Sequence, residues 1–194
     1  HPHDTDAFDD ADWPTLAALW GRDRVKAVGE TGLDYFYDHS DRARQQALFR
    51  RHLEAAKALD MPAVIHIRDA FDDAFAIMRE GGARGVVHCF TGGPAECAAA
   101  LELGFYISLS GIATFKNAKA LRAAVPLIPE DRVLVETDAP FLTPEPLRGR
   151  KNEPCHVALT LDYLAELRGV EREFLGKQGV VQGLLARIPS LEPA

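Results

Sequence analysis

The stretch PAVIHIRDA (Pro62–Ala70) contains an apolar run of strand length, Ala63–Ile67, which is opened by a proline and carries one histidine. The run is nearly continuous in its apolar character, which is typical of a parallel strand buried on both faces. The next segment, Ala70–Glu80, has helical spacing and is closed by two glycines. Glycine is the usual residue just past a helix C-terminus. The stretch therefore predicts a strand followed by a helix.

The same alternation extends along the chain in both directions. The other predicted strands are Val25–Gly29, Gly85–Cys89, Phe105–Ser110 and Val133–Thr137. The other predicted helices are Asp12–Trp20, Asp41–Leu59 with Asp41 or Ser40 as N-cap, Pro94–Leu103, Asn117–Val125, His156–Arg168 and Glu171–Arg187. Five apolar strands between helices, with no low-complexity linker, predict one α/β domain over residues 1–194.

The composition excludes several classes of protein. The chain has 194 residues, 47% of them hydrophobic and 26% charged, which excludes wholesale disorder. No apolar run approaches the roughly 20 residues of a membrane-spanning helix, so no membrane partner is expected. Three cysteines without a CxxC pair indicate neither a disulfide scaffold nor a zinc ribbon, which favours a reducing, cytoplasmic compartment. The net charge of −7 argues against charge-driven nucleic-acid binding, although bound metal ions could offset it for a phosphate substrate.

Polar residues recur where the predicted strands end. Glu30 follows the first strand in GETGLDY, His66 and His88 lie in the second and third, and Glu136 and Asp138 lie in LVETDAP. Ligands of parallel α/β proteins bind at the carboxyl ends of the strands, so these side chains are expected to converge. Imidazoles and carboxylates together predict a site for divalent metal that does not distinguish Mg, Mn, Fe or Zn.

The alternative is that these residues are structural. A single histidine near a strand end is more often a hydrogen-bonded core residue than a ligand. Several such groups in an apolar interior, however, cost several kcal/mol unless they are paired or liganded. Taken as a set, they favour a metal site.

Five ordered motifs resemble the TatD family of metal-dependent deoxyribonucleases: GETGLDY, PAVIHIRDA, HCFTGG, ETDAP and RGRKNEP. The opening His1-Pro2-His3 is similar to the family's GxHPH segment. The resemblance covers essentially the whole chain. It implies an amidohydrolase-type TIM (β/α)8 barrel and a hydrolase with two divalent metal ions.

The resemblance also implies roles for particular residues. Glu30 matches the carboxylate that bridges the metals, and His66 and His88 match the histidines of the second metal. Asp138 matches the carboxylate of the first metal that contacts the attacking water, which makes Glu30 and Asp138 the expected catalytic residues. His1 is expected among the substrate-binding residues. Two metals about 3.5–4 Å apart would clamp the attacking and leaving oxygens of an in-line displacement.

Basic residues are the expected phosphate contacts. Arg68 shares the strand face of His66, where a guanidinium could hold a phosphate in a bidentate manner; a salt bridge to Asp69, Asp72 or Glu30 is the equally weighted alternative. Arg148 leads the basic stretch 148–154 and could contact the DNA backbone, although a short charge run is more commonly a solvated loop.

Neighbouring aromatic and sulfur side chains favour structural roles. Asp34-Tyr35 and Phe90 adjoin predicted site residues and could line the pocket, yet core packing or loop anchoring is the favoured interpretation for both aromatic rings. Cys89 is expected to be a small buried residue rather than a ligand.

The family's first strand carries an H-x-H pair that is not found upstream of GETGLDY here. His1-Pro2-His3 fits the GxHPH segment at the end of the second strand better, because it reaches Glu30 through a single βα unit. A TIM barrel takes about 250 residues, so the barrel is expected to be incomplete, lacking its first one or two strands. Such a barrel is expected to have an open seam, marginal stability and uncertain activity.

DNA is the expected substrate, cleaved at phosphodiester bonds by metal-activated water. A metal-dependent amide or ester hydrolase, for example of aminoacyl esters, is the first alternative. A non-catalytic fragment that retains one metal site is the second. The intact enzyme is expected to be a monomer.

Overall fold

The computed structural model describes residues 1–171. Its strands are β1 (Val28–Asp34), β2 (Ala63–Arg68), β3 (Gly85–Val87), β4 (Tyr106–Leu109) and β5 (Val133–Val135). Its α-helices are α1 (Trp13–Trp20), α2 (Arg42–Ala58), α3 (Phe71–Gly81), α4 (Pro94–Glu102), α5 (Lys119–Ala124) and α6 (Val157–Arg168). Short 3-10 turns cover Pro2–Asp4, Asp10–Asp12, Gly111–Thr114, Val125–Leu127, Glu130–Arg132 and Pro154–His156. From residue 172 onward, the helix expected over Glu171–Arg187 lies outside the described residues.

The chain forms two compact units. Among the described residues, the first consists of His1–His88 and Glu102–Phe105, and the second of Cys89–Leu101 and residues 106–171. In the first unit, β1 pairs in parallel with β2, and β2 in parallel with β3. In the second unit, β4 pairs in parallel with β5. Parallel strands that alternate with helices confirm the α/β class.

Helix α2 shows why the sequence folds locally as it does. The carboxylate of Asp41 accepts a hydrogen bond from the backbone N–H of Arg44 at 3.0 Å, so Asp41 is the N-cap. The buried face of the helix consists of Gln45, Leu48, Phe49, Leu53 and Ala56, spaced at three and four residues. This face packs against β1 and α3.

Strand β2 matches its prediction closely and adds one residue, Arg68. Burial alternates along it, so that Ala63, Ile65 and Ile67 are buried while His66 and Arg68 share the other, partly exposed face. The common face of His66 and Arg68 is therefore confirmed.

Strand β1 departs from its prediction because it begins at Val28 and continues to Asp34. Its pairing with β2 extends to Asp34 opposite Arg68, which keeps the strand extended well beyond Glu30. The register shifts between Val28 and Thr31, so Glu30 lies in an irregularity inside the strand instead of following its end. Such bulges redirect a side chain out of the regular alternation.

In the second unit, α6 packs against β5 and the turn at Gly111–Thr114. The guanidinium of Arg168, at the end of α6, donates hydrogen bonds to the backbone carbonyls of Val125 (3.2 Å) and Ile128 (2.8 Å). Over the described residues, no helix has both the length and the apolar character needed to cross a membrane.

Candidate metal centre

Glu30 is the centre of a cluster of imidazoles in the first unit. Its Oε1 lies 3.0 Å from Nδ1 of His66, 3.5 Å from Nε2 of His1 and 3.6 Å from Nε2 of His88. The bulge in β1 aims the carboxylate, β2 supplies His66, and His88 follows β3 directly. The structure thus brings together three of the predicted metal ligands, Glu30, His66 and His88, as their placement on parallel strands suggested.

His1 also belongs to this cluster. One donor atom from each of His1, Glu30 and His66 lies within 4.8 Å of the other two. The His1 ring is partly exposed and lies edge-on to the His66 ring, with 4.7 Å between ring centroids. His1 was expected to bind substrate, whereas its position also makes it a metal donor beside Glu30, His66 and His88.

Asp34 is a site residue whose function the sequence analysis missed. Its carboxylate is fully buried, and Oδ2 lies 3.0 Å from Nε2 of His66 and 2.9 Å from Nε2 of His3. Its Oδ1 accepts hydrogen bonds from the backbone N–H groups of Phe36 and Tyr37. A carboxylate that accepts a hydrogen bond from one ring nitrogen fixes the tautomer and leaves the other nitrogen to bind metal.

The electrostatics of the site favour ionised carboxylates. Burial raises the pKa of Glu30, but the hydrogen bond from His66 and the nearby His88 imidazole outweigh it and hold that pKa below its usual value. Burial likewise raises the pKa of Asp34, and the bonds from Tyr37 N–H, His3 and His66 lower it further than burial raises it. Both groups are therefore anions at neutral pH, which is the state that binds cations.

The donor chemistry fits a divalent metal ion. Oε1 of Glu30, Nδ1 of His66 and Nε2 of His1 provide one oxygen and two nitrogen donors that already face one another. The Nε2 atom of His66 is occupied by Asp34, so the ring presents Nδ1 to the cluster. Mixed imidazole and carboxylate donors suit zinc, manganese or iron.

The second unit holds the other predicted carboxylates. Asp138 follows β5 with a positive φ of 58°. Glu136 accepts a hydrogen bond from the backbone N–H of Cys89, which shows a structural use for that carboxylate. Cys89 is half-buried, and its Sγ lies 3.1 Å from Oγ of Ser110. These contacts favour the structural interpretation of Cys89.

The two predicted phosphate-binding arginines stack on aromatic rings. The Arg68 guanidinium lies over Phe36 at 4.2 Å and over Tyr37 at 4.6 Å from the ring centroids. The Arg148 guanidinium lies over Phe115 at 3.5 Å. A stacked guanidinium still presents N–H donors at its edge, so stacking orients both groups without consuming their donors.

The aromatic side chains named in the sequence analysis are structural. The hydroxyl of Tyr35 donates to Asp73 at 2.7 Å and accepts from the Gln46 amide at 2.8 Å, which anchors the ring. Phe90 is 1% exposed and belongs to the core. The interpretation of both as anchoring or packing residues is confirmed.

Known proteins similar to this chain include metal-dependent hydrolases. The uncharacterized metal-dependent hydrolase YcfH of Escherichia coli K12 is 45% identical over 181 residues, covering 91% of this chain and 67% of YcfH. A protein named 3'-5' ssDNA/RNA exonuclease TatD, from Erwinia billingiae, is 39% identical over 92% of this chain and 71% of its own length. The chain thus spans about two thirds of these relatives' length.

Solved structures give the same picture. The crystal structure of YjjV, a TatD homologue from Escherichia coli K12, superposes with a TM-score of 0.86 at 30% identity, covering 92% of this chain and 70% of YjjV. The likeness agrees with the α/β class, with parallel strands, that the chain shows. Residues 1–179 match the model of the family described as TatD related DNase. The chain therefore belongs to the TatD family of metal-dependent hydrolases.

Proposed function

We propose that this hydrolase cleaves phosphodiester bonds in single-stranded DNA. The observation that carries the proposal is the convergence of His1, Glu30 and His66 donor atoms within 4.8 Å, with His88 beside them. A divalent metal at such a site supplies Lewis-acid polarisation of a phosphoryl oxygen and activation of water. The relative named as an ssDNA/RNA exonuclease supports a nucleic-acid substrate.

The chain's own residues have distinct tasks in this proposal. Glu30 supplies the negative charge that holds a cation, and His66 and His88 supply neutral donors. Asp34 holds the proton on Nε2 of His66, so that Nδ1, the atom that faces Glu30, is the one that would bind a cation after giving up its proton. Asp138 is proposed as the base that accepts the proton of the attacking water.

Basic residues would hold the substrate. Arg148 and its exposed neighbours Arg150 and Lys151 offer positive charge in a chain whose net charge is −7. The buried Asn152 holds this stretch in place, because its amide donates to the carbonyls of Thr137 (2.8 Å) and Phe141 (2.5 Å). A fixed basic loop positions a phosphate backbone without reading its sequence.

The test pairs metal content with cleavage of a 5'-labelled single-stranded oligonucleotide in added Mg²⁺, Mn²⁺ or Zn²⁺. Glu30→Gln is expected to abolish both metal retention and cleavage. Asp138→Asn is expected to keep the metal held by Glu30, His66 and His88 and to lose about 10²- to 10⁴-fold in rate. The matched control is Glu54→Gln, a carboxylate on the exposed face of α2, which should leave both unchanged.

Two results would contradict the proposal. Bound metal with no DNA cleavage but with hydrolysis of aminoacyl or other esters would identify an ester hydrolase. The absence of both metal binding and cleavage would identify a non-catalytic chain.

A further inference from the structure

We propose that the exposed rings of Phe36, Tyr37 and His39, together with the guanidinium of Arg68, form a stacking platform for an unpaired nucleobase. This inference rests on the proposed function, because it names how the single-stranded substrate of that reaction would be held beside the metal centre.

The first observation is the exposure of large rings in one short segment. Phe36 is 56% exposed and Tyr37 is 47% exposed, and His39 is also exposed. Exposed aromatic surface is costly unless something covers it, and the faces of such rings are where nucleobases stack. A flat π-face accepts any base, so this chemistry favours a sequence-tolerant single strand over a duplex.

One pair of rings is stacked, and the Phe36 ring lies edge-on to Tyr37, with 4.8 Å between centroids and an interplanar angle of 89°. The Tyr37 and His39 rings are nearly parallel, with an interplanar angle of 3° and a centroid separation of 5.3 Å. The Arg68 guanidinium lies over both the Phe36 and Tyr37 rings. Aromatic rings with a guanidinium beside them form a surface on which a further planar, electron-rich group can stack.

Hydrogen bonds hold both ends of the segment 36–40 in place. Oδ1 of Asp34 accepts hydrogen bonds from the N–H groups of Phe36 (3.1 Å) and Tyr37 (3.0 Å). At the other end, buried Ser40 donates to the carbonyl of His3 at 2.8 Å, and its own carbonyl accepts from Gln45. A preorganised surface loses little conformational entropy when a ligand binds, so this rigidity favours binding.

The stacking platform adjoins the metal centre. The His3 ring lies edge-on to Tyr37 (5.4 Å between centroids) and to His39 (4.8 Å), and it is 6.2 Å from the His66 ring. Its Nε2 shares the Asp34 carboxylate with His66. A base on the stacking platform would therefore belong to a nucleotide next to the bond being cleaved.

The one carboxylate in the segment does not oppose this. Asp38 is exposed, but its two oxygens are bound by the Arg42 guanidinium at 2.8 and 2.7 Å. Arg42 offsets the charge of Asp38, and Arg68 adds a positive charge beside the rings. This segment is therefore not anionic, in contrast to the chain as a whole, whose net charge is −7. A phosphate attached to the stacked base meets no unpaired acid from this segment.

The experiment measures binding without turnover. The full chain in EDTA is titrated into a single-stranded oligonucleotide carrying one 2-aminopurine, whose fluorescence is quenched by stacking. Quenching by the wild-type chain is expected, together with weaker binding of an otherwise identical oligonucleotide that has an abasic site there. Tyr37→Ala and Phe36→Ala should each weaken binding about 5- to 100-fold.

Two variants separate stacking from folding. Tyr37→Phe keeps the ring and should bind like the wild type, whereas Leu127→Ala removes an equally exposed apolar side chain elsewhere and should have no effect. Equal binding of the normal and abasic oligonucleotides by the wild type would overturn the proposal, as would unchanged binding by Tyr37→Ala. Quenching with no cleavage under any metal would leave the platform standing and remove the proposed nuclease function. Cleavage that does not depend on the rings would support the nuclease function and overturn the stacking platform.

Discussion

The buried carboxylate of Asp34 lies 3.0 Å from Nε2 of His66, while Nδ1 of the same ring faces Glu30 at 3.0 Å. The His66 imidazole thus lies between two carboxylates. Asp34 fixes the tautomer of the ring, and Glu30 faces the other ring nitrogen. The same Asp34 carboxylate holds the backbone of Phe36 and Tyr37. One side chain therefore supports both the metal centre and the neighbouring exposed rings.

Asp34→Asn is expected to weaken metal binding by roughly 10- to 100-fold. The amide of asparagine would present a donor towards Nε2 of His66, which favours the tautomer whose proton lies on Nδ1 and so removes a metal donor. Competition with a chromogenic chelator measures the affinity. Asp38→Asn, an exposed carboxylate paired with Arg42, is the control and should bind metal as the wild type does. Equal affinity of wild type and Asp34→Asn would refute the role of Asp34 in fixing the tautomer of His66.

Gly32→Ala is expected to destabilise the first unit by at least about 2 kcal/mol. Gly32 has a φ of +137°, and a Cβ added there would lie 2.0 Å from the carbonyl oxygen of His66, its register partner on β2. The strands must separate to admit it, and His66 moves with them. Urea unfolding measures the loss.

Gly104→Ala is the matched control for Gly32. Gly104 also has a positive φ of +81°, but an added Cβ would have open space around it. Its substitution therefore carries only the left-handed backbone penalty of about 1 kcal/mol. Equal losses from the two substitutions would show that the approach of β1 to β2 is not the constraint.

Much of the fold could be predicted from local patterns. Helix α2 was predicted within one residue at each end, because its cap and its buried face both lie in the local sequence. The strand at Ala63 was also found, but Glu30 was expected after a strand and lies inside one. Pairing with β2 and the register shift set the extent of β1, and neither is visible in a single stretch of sequence.

The convergence of the candidate site was predicted, although Glu30 and His66 lie inside their strands. Glu30, His66 and His88 converge as expected for parallel strands. The role of Asp34 was missed because GETGLDY offers no sign of which carboxylate is buried beneath which histidine. The available signal was the two-residue alternation of a strand. If β1 stays extended, Asp34 lies on the same face as Gly32, and these two residues pair with Arg68 and His66 of β2.

Asn152→Ala is expected to lower stability by about 1–3 kcal/mol, because the carbonyls of Thr137 and Phe141 lose the hydrogen-bond donor that the buried Asn152 supplies. The Asn152 side chain is 2% exposed and donates to the carbonyls of Thr137 and Phe141. Its Oδ1 also accepts from the N–H of Glu153 at 3.0 Å. The same substitution should free the basic stretch 148–151 for proteolysis.

Limited trypsin digestion checks the second effect of Asn152→Ala, since Arg148, Arg150 and Lys151 are all cleavage sites. Glu145→Ala, an exposed side chain in the same loop region, should leave the digestion rate unchanged. Equal digestion rates for Asn152→Ala and the wild type would show that the loop is held by other contacts.

The stability of the chain is expected to fall between pH 6.5 and pH 4 because of His52. Burial against Trp13 and Trp20 lowers the pKa of His52 to about 4, although the hydrogen bond to the Leu48 carbonyl partly opposes this. Above pH 6.5 the imidazole is neutral in both the folded and the unfolded chain. Below it, the unfolded chain takes up a proton that the folded chain rejects until about pH 4, so protonation favours unfolding.

His52→Gln should remove about 1–2 kcal/mol of the stability difference between pH 7 and pH 4.5, a value reduced for partial exposure of the ring. Chemical unfolding of the wild type and the variant at both pH values measures this difference. A His52→Gln chain that loses as much stability on acidification as the wild type would place the titrating group elsewhere. Because the test compares the stability difference between pH 7 and pH 4.5 in each protein, any general loss of packing caused by the substitution cancels.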